Sequence, residues 1–164
     1  MGYVRAFREG DAECLAPILR DADQDELRAG TGMAPLAALQ AGADHSRICC
    51  TIIDNSWHVS GMFGIVDEGD FGRIWMLGSD AIAKPPLSIQ FLRECKKHVY
   101  LMERPYKIIG NEIDQRNTLH VRWLKWLGFT FLPPIHDYGP ERRTFFPFVK
   151  VVQPCANPSQ SPLP

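Results

Sequence analysis

Residues 57–66 read Trp-His-Val-Ser-Gly-Met-Phe-Gly-Ile-Val, and they restrict the fold more than any other stretch. Extended, the run puts Trp57, Val59, Gly61, Phe63 and Ile65 on one face and His58, Ser60, Met62, Gly64 and Val66 on the other. Both faces carry apolar or small residues, so for part of its length this strand is buried on both sides. The flanking clusters Asp54-Asn55-Ser56 and Asp67-Glu68-Gly69-Asp70 are turn chemistry. A sheet with one wet face does not satisfy that pattern; a central sheet flanked by helices does.

The helices are legible from spacing. Leu15, Ile18, Leu19 and Ala22 recur at i, i+3, i+4 and i+7 after Asp11, which reads as an N-cap. The charges from Asp21 to Arg28 loosen that pattern, and Gly30 and Gly32 end it. A second helix is expected over residues 35–41, with Pro35 in its first turn and Gly42 past its end. Leu87, Phe91, Cys95, Val99 and Met102 mark a third, led by Pro85 and Pro86 and stopped by Pro105. A fourth covers residues 118–127 and ends at Gly128; in it Trp123 and Trp126, with Leu119 and Leu127, read as core. Strands are expected over residues 3–7, 47–53, 73–77 and 107–113, with residues 129–132 and 144–152 as a closing antiparallel pair. The order β-α-α-β-β-β-α-β-α-β-β is an α+β domain on a mixed, mostly antiparallel sheet. It covers residues 1–152. Residues 153–164, rich in proline, read as a disordered tail.

Length and composition agree with a single domain. The chain has 164 residues, 45% of them hydrophobic and 23% charged. Lys+Arg is 18 and Asp+Glu is 19, a formal net charge of −1. A protein that binds by neutralising phosphates carries a basic excess, so nucleic acid is not the expected partner. No apolar run approaches the roughly 20 residues that span a bilayer, and the first residues carry no apolar run of the secretory kind. The five cysteines are irregularly spaced, with no CxxC and no HxxxH, so neither a disulfide framework nor a metal is expected. Cys49 and Cys50 are neighbours and point to opposite faces of any strand they share.

One phrase narrows the reading. Residues 117–129 read Asn-Thr-Leu-His-Val-Arg-Trp-Leu-Lys-Trp-Leu-Gly-Phe. With the order of elements over residues 3–152, and with Arg5, Gly10 and Asp11 at the first strand and turn, this resembles the GNAT (Gcn5-related N-acetyltransferase) superfamily, whose closing motif shares Asn117, Gly128 and Phe129 at matching spacings. The resemblance implies a GNAT-like fold in which two neighbouring parallel strands, here residues 73–77 and 107–113, splay apart to admit acetyl-CoA. It implies cofactor contacts at Met76, Leu77, Gly78, Ser79 and Asn117, and direct attack of an amine on the thioester. The chain departs from the family at two places. The pyrophosphate loop lacks its glycine pair and reads Gly78-Ser79-Asp80-Ala81-Ile82-Ala83-Lys84-Pro85-Pro86, where the prolines delete two backbone donors. The position of the family's proton-donating Tyr is Leu124. Together with "IWMLGSD", "FLRECKKHV" and "FFPF", these departures resemble a small group of GNAT-like proteins of tailed phages, of the podovirus internal virion protein A type.

Candidate chemistry is sparse. Glu112 shares a strand face with Asp114; it is a general base if that face looks into the splay, and a solvated strand-end carboxylate otherwise. His120 is an acid/base or cofactor contact, or else a histidine at the core edge. Asn117 faces the cofactor or caps the helix. Arg142 and Arg143 meet a phosphate or an acidic partner, or decorate a hairpin tip. Two functions follow as expectations. One is a phage protein with a degenerate acetyl-CoA site that acts by binding a protein partner, phage or host, in the virion or the host cytoplasm. The other is an active acyl-CoA-dependent N-acetyltransferase on a host protein or small amine.

Overall fold

The computed structural model describes residues 2–152. The expectation of a disordered tail over residues 153–164 lies outside the described residues. The chain opens with β1 (Tyr3–Ala6) and turns at Gly10, whose φ of 91° suits glycine. Gly10, not Asp11, occupies the N-cap of α1 (Asp11–Leu15). Asp11 is the first helical residue, and its carboxylate accepts from the Arg8 N–H at 2.8 Å, the Thr51 hydroxyl at 2.6 Å and the Arg5 guanidinium at 2.7 Å. The single helix expected through residue 22 is broken. A 3-10 turn (Ala16–Ile18) precedes α2 (Asp21–Gly30). Pro17 has no amide to bond back to Glu13, and its ring crowds that carbonyl. Ile18, placed on the apolar face by its spacing, is left 50% exposed.

Next come α3 (Pro35–His45), β2 (Ser46–Ile53), β3 (Val59–Glu68), β4 (Phe71–Gly78), α4 (Leu87–Glu103) and β5 (Ile108–Asp114). The chain ends with α5 (Thr118–Trp126), β6 (Thr130–Phe131), β7 (Ile135–Tyr138) and β8 (Arg143–Val151). α3 runs past its expected end, through Gly42. β7 lies inside the segment expected to be a loop and pairs with β8. The result is a single domain on an eight-stranded sheet of order β1-β2-β3-β4-β5-β8-β6, with β7 also on β8. Every pairing is antiparallel except β4 with β5.

Strand alternation sorts the side chains into two cores. Met62, Leu77 and Cys49 pack with Leu15, Leu19 and Leu39 under α1 and α3. Phe63, Ile65, Ile52 and Cys50 pack with Phe91, Cys95, Val99 and Met102 of α4 on the other face. β3 is therefore covered on both sides, as residues 57–66 require. Each fully buried Leu, Ile or Phe contributes roughly 1.5–3 kcal/mol. On α5, Trp123 packs against the second core. Trp126, expected in the core, is 47% exposed with the Lys96 ammonium 4.3 Å above its ring. Gly128, at φ 89°, follows the end of α5 as expected. Among the described residues, no helix is long and apolar enough to cross a membrane.

Candidate functional site

β4 and β5 hold each other over three register pairs, Phe71 with Ile108, Gly72 with Ile109 and Arg73 with Gly110. Past Arg73 they part. The Asn111 side chain closes the apex of the V. Its Nδ2 donates to Ile74 O at 2.9 Å, and its Oδ1 accepts from the Glu112 N–H at 2.9 Å and from Arg73 Nη1 at 3.0 Å. A carboxamide carries one donor side and one acceptor side, as a peptide group does, so Asn111 stands in for the next rung.

Beyond the apex the gap opens into a cavity of about 300 Å³. On the α4–α5 side it is lined by apolar groups that include Phe91, Val99, Trp123 and Phe148. On the α2 side it meets Glu26, Leu27, Met33, Trp75, Tyr138 and Phe145. Alternation along β4 turns the backbone groups of Ile74, Met76 and Gly78 toward the gap. Asn111 occupies the Ile74 carbonyl. At Gly78 the N–H donates to Asp23 Oδ2 at 2.8 Å, and the carbonyl accepts from the Arg20 N–H at 2.9 Å. Met76, between them, presents its N–H and C=O to the cavity.

A buried polar cluster fills the far end of the V. Arg20 Nη2 donates to Asp23 Oδ1 at 2.5 Å, to Asn117 Oδ1 at 3.1 Å and toward His120 Nε2 at 3.1 Å. Asn117 Nδ2 donates to Asp23 Oδ1 and to Glu26 Oε2, both at 3.0 Å. Arg20 Nη2 faces Nε2 of the His120 ring and Asn117 Nδ2 faces Nδ1 at 3.3 Å, with Asp23 Oδ1 3.7 Å from Nδ1; a neutral imidazole accepts at only one of its two nitrogens. Burial, with Arg20 adding to it, pushes His120 down to about 4, so the ring is neutral at pH 7. Glu26 goes the other way. Burial lifts its carboxyl to about 8; the nearby Asp23 and Asp114 charges add to this, against donation from Asn117 and the Asp114 N–H. Burial also raises the Tyr138 phenol, with the Glu112 charge adding.

The residues singled out from sequence are distributed as follows. Met76 and Leu77 line the cavity. Gly78 is engaged by Asp23 and Arg20. Ser79 directs its N–H (2.9 Å) and its hydroxyl (3.1 Å) to Ser60 O. Asn117 stands at the N-cap position of α5 but makes no side-chain cap bond; its carboxamide belongs to the cluster. His120 lines the cavity from α5. Glu112 lines it too, bound to Arg73 Nη1 at 2.8 Å. Asp114, paired with it on the strand, is 1% exposed and holds Arg116 at 2.6 Å rather than meeting solvent. Arg142 and Arg143 face Asp137 and Glu141. Among the described residues, no three His, Cys, Asp or Glu side chains gather as a metal would require. Sequence reasoning missed Arg20, Asp23 and Glu26. Arg20 at the N-cap of α2 and Asp23 and Glu26 within it stand at i, i+3 and i+6, and that spacing of charges was the available signal.

Acetyl-CoA can be tested against these residues in two parts. The open Met76 edge and the apolar cavity suit a pantetheine arm and its acyl end. The segment before α4 offers a diphosphate little. The Ile82 and Lys84 amides donate to the carbonyls of Ser79 and Ala81, Pro85 and Pro86 have no amide, and in the first turn of α4 the Ser88 and Gln90 amides donate back to the carbonyls of Lys84 and Pro86.

No protein-family model matches the chain, and no curated protein matches it. Solved structures do. A GNAT-family acetyltransferase from Streptococcus pneumoniae has a TM-score of 0.63 at 15% identity, covering 93% of this chain and 100% of its own. A putative acetyltransferase from Salmonella typhimurium with its cofactor acetyl-CoA gives 0.69 at 13%, covering 98% and 99%. Spermidine N-acetyltransferase from Vibrio cholerae in complex with CoA and spermine gives 0.66 at 8%, covering 92% and 95%. At these identities the likeness is one of fold: this chain has the fold of GNAT acetyltransferases.

Proposed function

We propose that the chain is an acyl-CoA-dependent N-acyltransferase whose chemistry sits in the gap between β4 and β5. The observation that carries this reading is Glu26, a carboxyl with a pKa near 8 lining an open cavity between two parting parallel strands. An amine is mostly cationic at neutral pH and must lose a proton before it can attack a thioester. A base with a pKa close to the working pH removes that proton efficiently. Glu26 takes this role in its ionised form, whose share grows as pH rises toward 8. Asn117 and the Asp114 N–H fix its Oε2, and Arg20 and Asp23 fix Asn117. His120, neutral at pH 7, positions Arg20 instead of titrating. Glu112 stays with Arg73 at the apex. Met76 would hold the thioester arm by its backbone; bound there, acetyl-CoA supplies the activated acyl group.

A second reading has its own support. The Ile82 and Lys84 amides before α4 are already satisfied and Pro85 and Pro86 have none, which favours a degenerate acetyl-CoA site and a protein that acts by binding, as a phage protein would in the virion or against a host factor. Calorimetric titration with acetyl-CoA and, separately, with CoA decides between them. A dissociation constant in the micromolar range, about −8 kcal/mol, is the expected result. No heat and no thermal shift at millimolar ligand overturns the acyltransferase and leaves the binding role.

A further inference from the structure

We propose that the acceptor taken on the α2 side of the cleft is a compact primary amine with an apolar body and a single charge, not a segment of polypeptide and not a polyamine. This rests on the acyltransferase reading for its consequence, but the amine site itself is a claim about binding.

Three features argue for it. The first is closure of the rim. The end of α2 lies directly on the β7–β8 turn. Arg28 Nε bonds Glu141 Oε1 at 2.7 Å, and the Glu141 N–H reaches Ala29 O at 3.5 Å. Gly139, at φ 66°, sits so close to α2 that an added Cβ would overlap Ala29 O. A Cβ on Gly30 would stand 3.1 Å from the Phe145 ring. At these contacts the end of α2 and the turn leave no room between them for an extended chain.

The second is the state of the backbone facing this half. A polypeptide entering a sheet gap needs main-chain partners, because its own amides lose water there. Here the Gly78 N–H and C=O are bound to Asp23 and Arg20, and the Asp114 N–H to Glu26. The cluster that orders Glu26 removes the ladder a peptide would use.

The third is lining chemistry. With Glu26, the α2 side of the cavity is lined by Leu27, Met33, Trp75 and Phe145, and by the Tyr138 phenol. Trp75 is fixed by Nε1 donation to Ser46 Oγ at 2.8 Å. The other carboxylate in reach, Glu112, is neutralised by Arg73, and Asp25 and Glu141 are held by Arg28. One acid with neutral donors on Oε2 and no cationic partner, in a mostly apolar lining, suits one ammonium on an apolar body. A polyamine would bring further charges with nothing to meet them. At about 300 Å³, the cavity is at the small end of ligand pockets.

The test is calorimetry on the full chain without any thioester, with phenethylamine, spermidine and a tetrapeptide with a free N-terminus as probes. Phenethylamine should bind best. Its heat should vary with the ionisation enthalpy of the buffer, because an ammonium beside Glu26 expels the carboxyl proton. Glu26→Gln, an isostere whose fold is checked by its melting temperature, should weaken phenethylamine by about tenfold or more. Tighter binding of spermidine or the tetrapeptide, or no phenethylamine heat at millimolar concentration, overturns the proposal. Amine binding without acetyl-CoA binding would leave this site standing and sink the acyltransferase; acetyl-CoA binding without phenethylamine binding would do the reverse.

Discussion

Glu26 and His120 share the partner Asn117, and burial neutralises both, one by keeping its proton and the other by losing it. Their effects on stability run in opposite directions. Glu26 has a native pKa of about 8 against a model value of 4.5. Between those values the native state binds more protons than the unfolded chain, so its contribution is full below 4.5 and declines as pH rises through 8. His120 has a native pKa of about 4 against 6.5. Between those values the unfolded chain binds more protons, so its contribution is full above 6.5 and is lost as pH falls through 4. Between about 4.5 and 6.5 the two oppose each other; above 6.5 only Glu26 still slopes. A pKa unit is worth about 1.4 kcal/mol. Glu26→Gln should therefore remove a decline of up to about 2 kcal/mol between pH 6.5 and 8.5, read as urea midpoints across that range. Parallel pH profiles for wild type and variant would mean that Glu26 is not buried as a neutral acid.

At the scale of elements, α3 shows how a helix can be read correctly in kind and wrongly in extent. Gly42 looks like a terminator, and the helix runs through it to His45. The glycine is there for Trp75: an added Cβ would lie 2.7 Å from the indole Cζ2 and 3.0 Å from Cε2. Gly42→Ala gains about 1 kcal/mol of helix propensity, but the indole is tethered to Ser46 and cannot withdraw. The overlap should win, with a net loss of roughly 1–3 kcal/mol in chemical denaturation; a neutral or stabilised variant would show that Trp75 moves. Elements whose identity rests on their own spacing were legible in this way: the α4 stripe from Leu87 to Met102, the doubly buried β3, the Gly128 stop. The break at Pro17 was also local, yet the apolar spacing masked it. The site was much less legible. Asn117 and His120 stood in a motif. Glu26 sat in a charged stretch that reads as a solvated face, and its hydrogen-bond donors, the Asp114 N–H and Asn117, are 88 and 91 residues away. The spacing of Arg20, Asp23 and Glu26 marks a charged face, but nothing in that segment says that residues from so far along the chain will cover it.

On the scale of the molecule, the sheet consists of two antiparallel parts, β1–β4 and β5–β8, joined by the short β4–β5 ladder and then by side chains. Asn111 spans the apex, and Asp23 and Glu26 tie α2 to Gly78 on one strand and to the Asp114 N–H on the other. The larger core runs beneath both parts, with Ile52 and Phe63 from one and Ile109 and Phe148 from the other. The two parts should therefore unfold together, while the apex opens locally. Asn111→Ala separates these claims. It leaves the Ile74 carbonyl and the Glu112 N–H without their partner and frees Arg73 Nη1 from one of its two acceptors there. A stranded buried group costs about 1–3 kcal/mol, and water entering from the cleft should hold the loss near the lower figure. Denaturation should remain one cooperative transition, because the shared core is untouched. Hydrogen exchange should quicken at Glu112, whose amide loses its acceptor, and much less at Ile65 in the middle of β3. Two separate transitions would show that the ladder and its side-chain bridges, not the common core, hold the parts together. Unchanged exchange at Glu112 would show that the V is held open without Asn111.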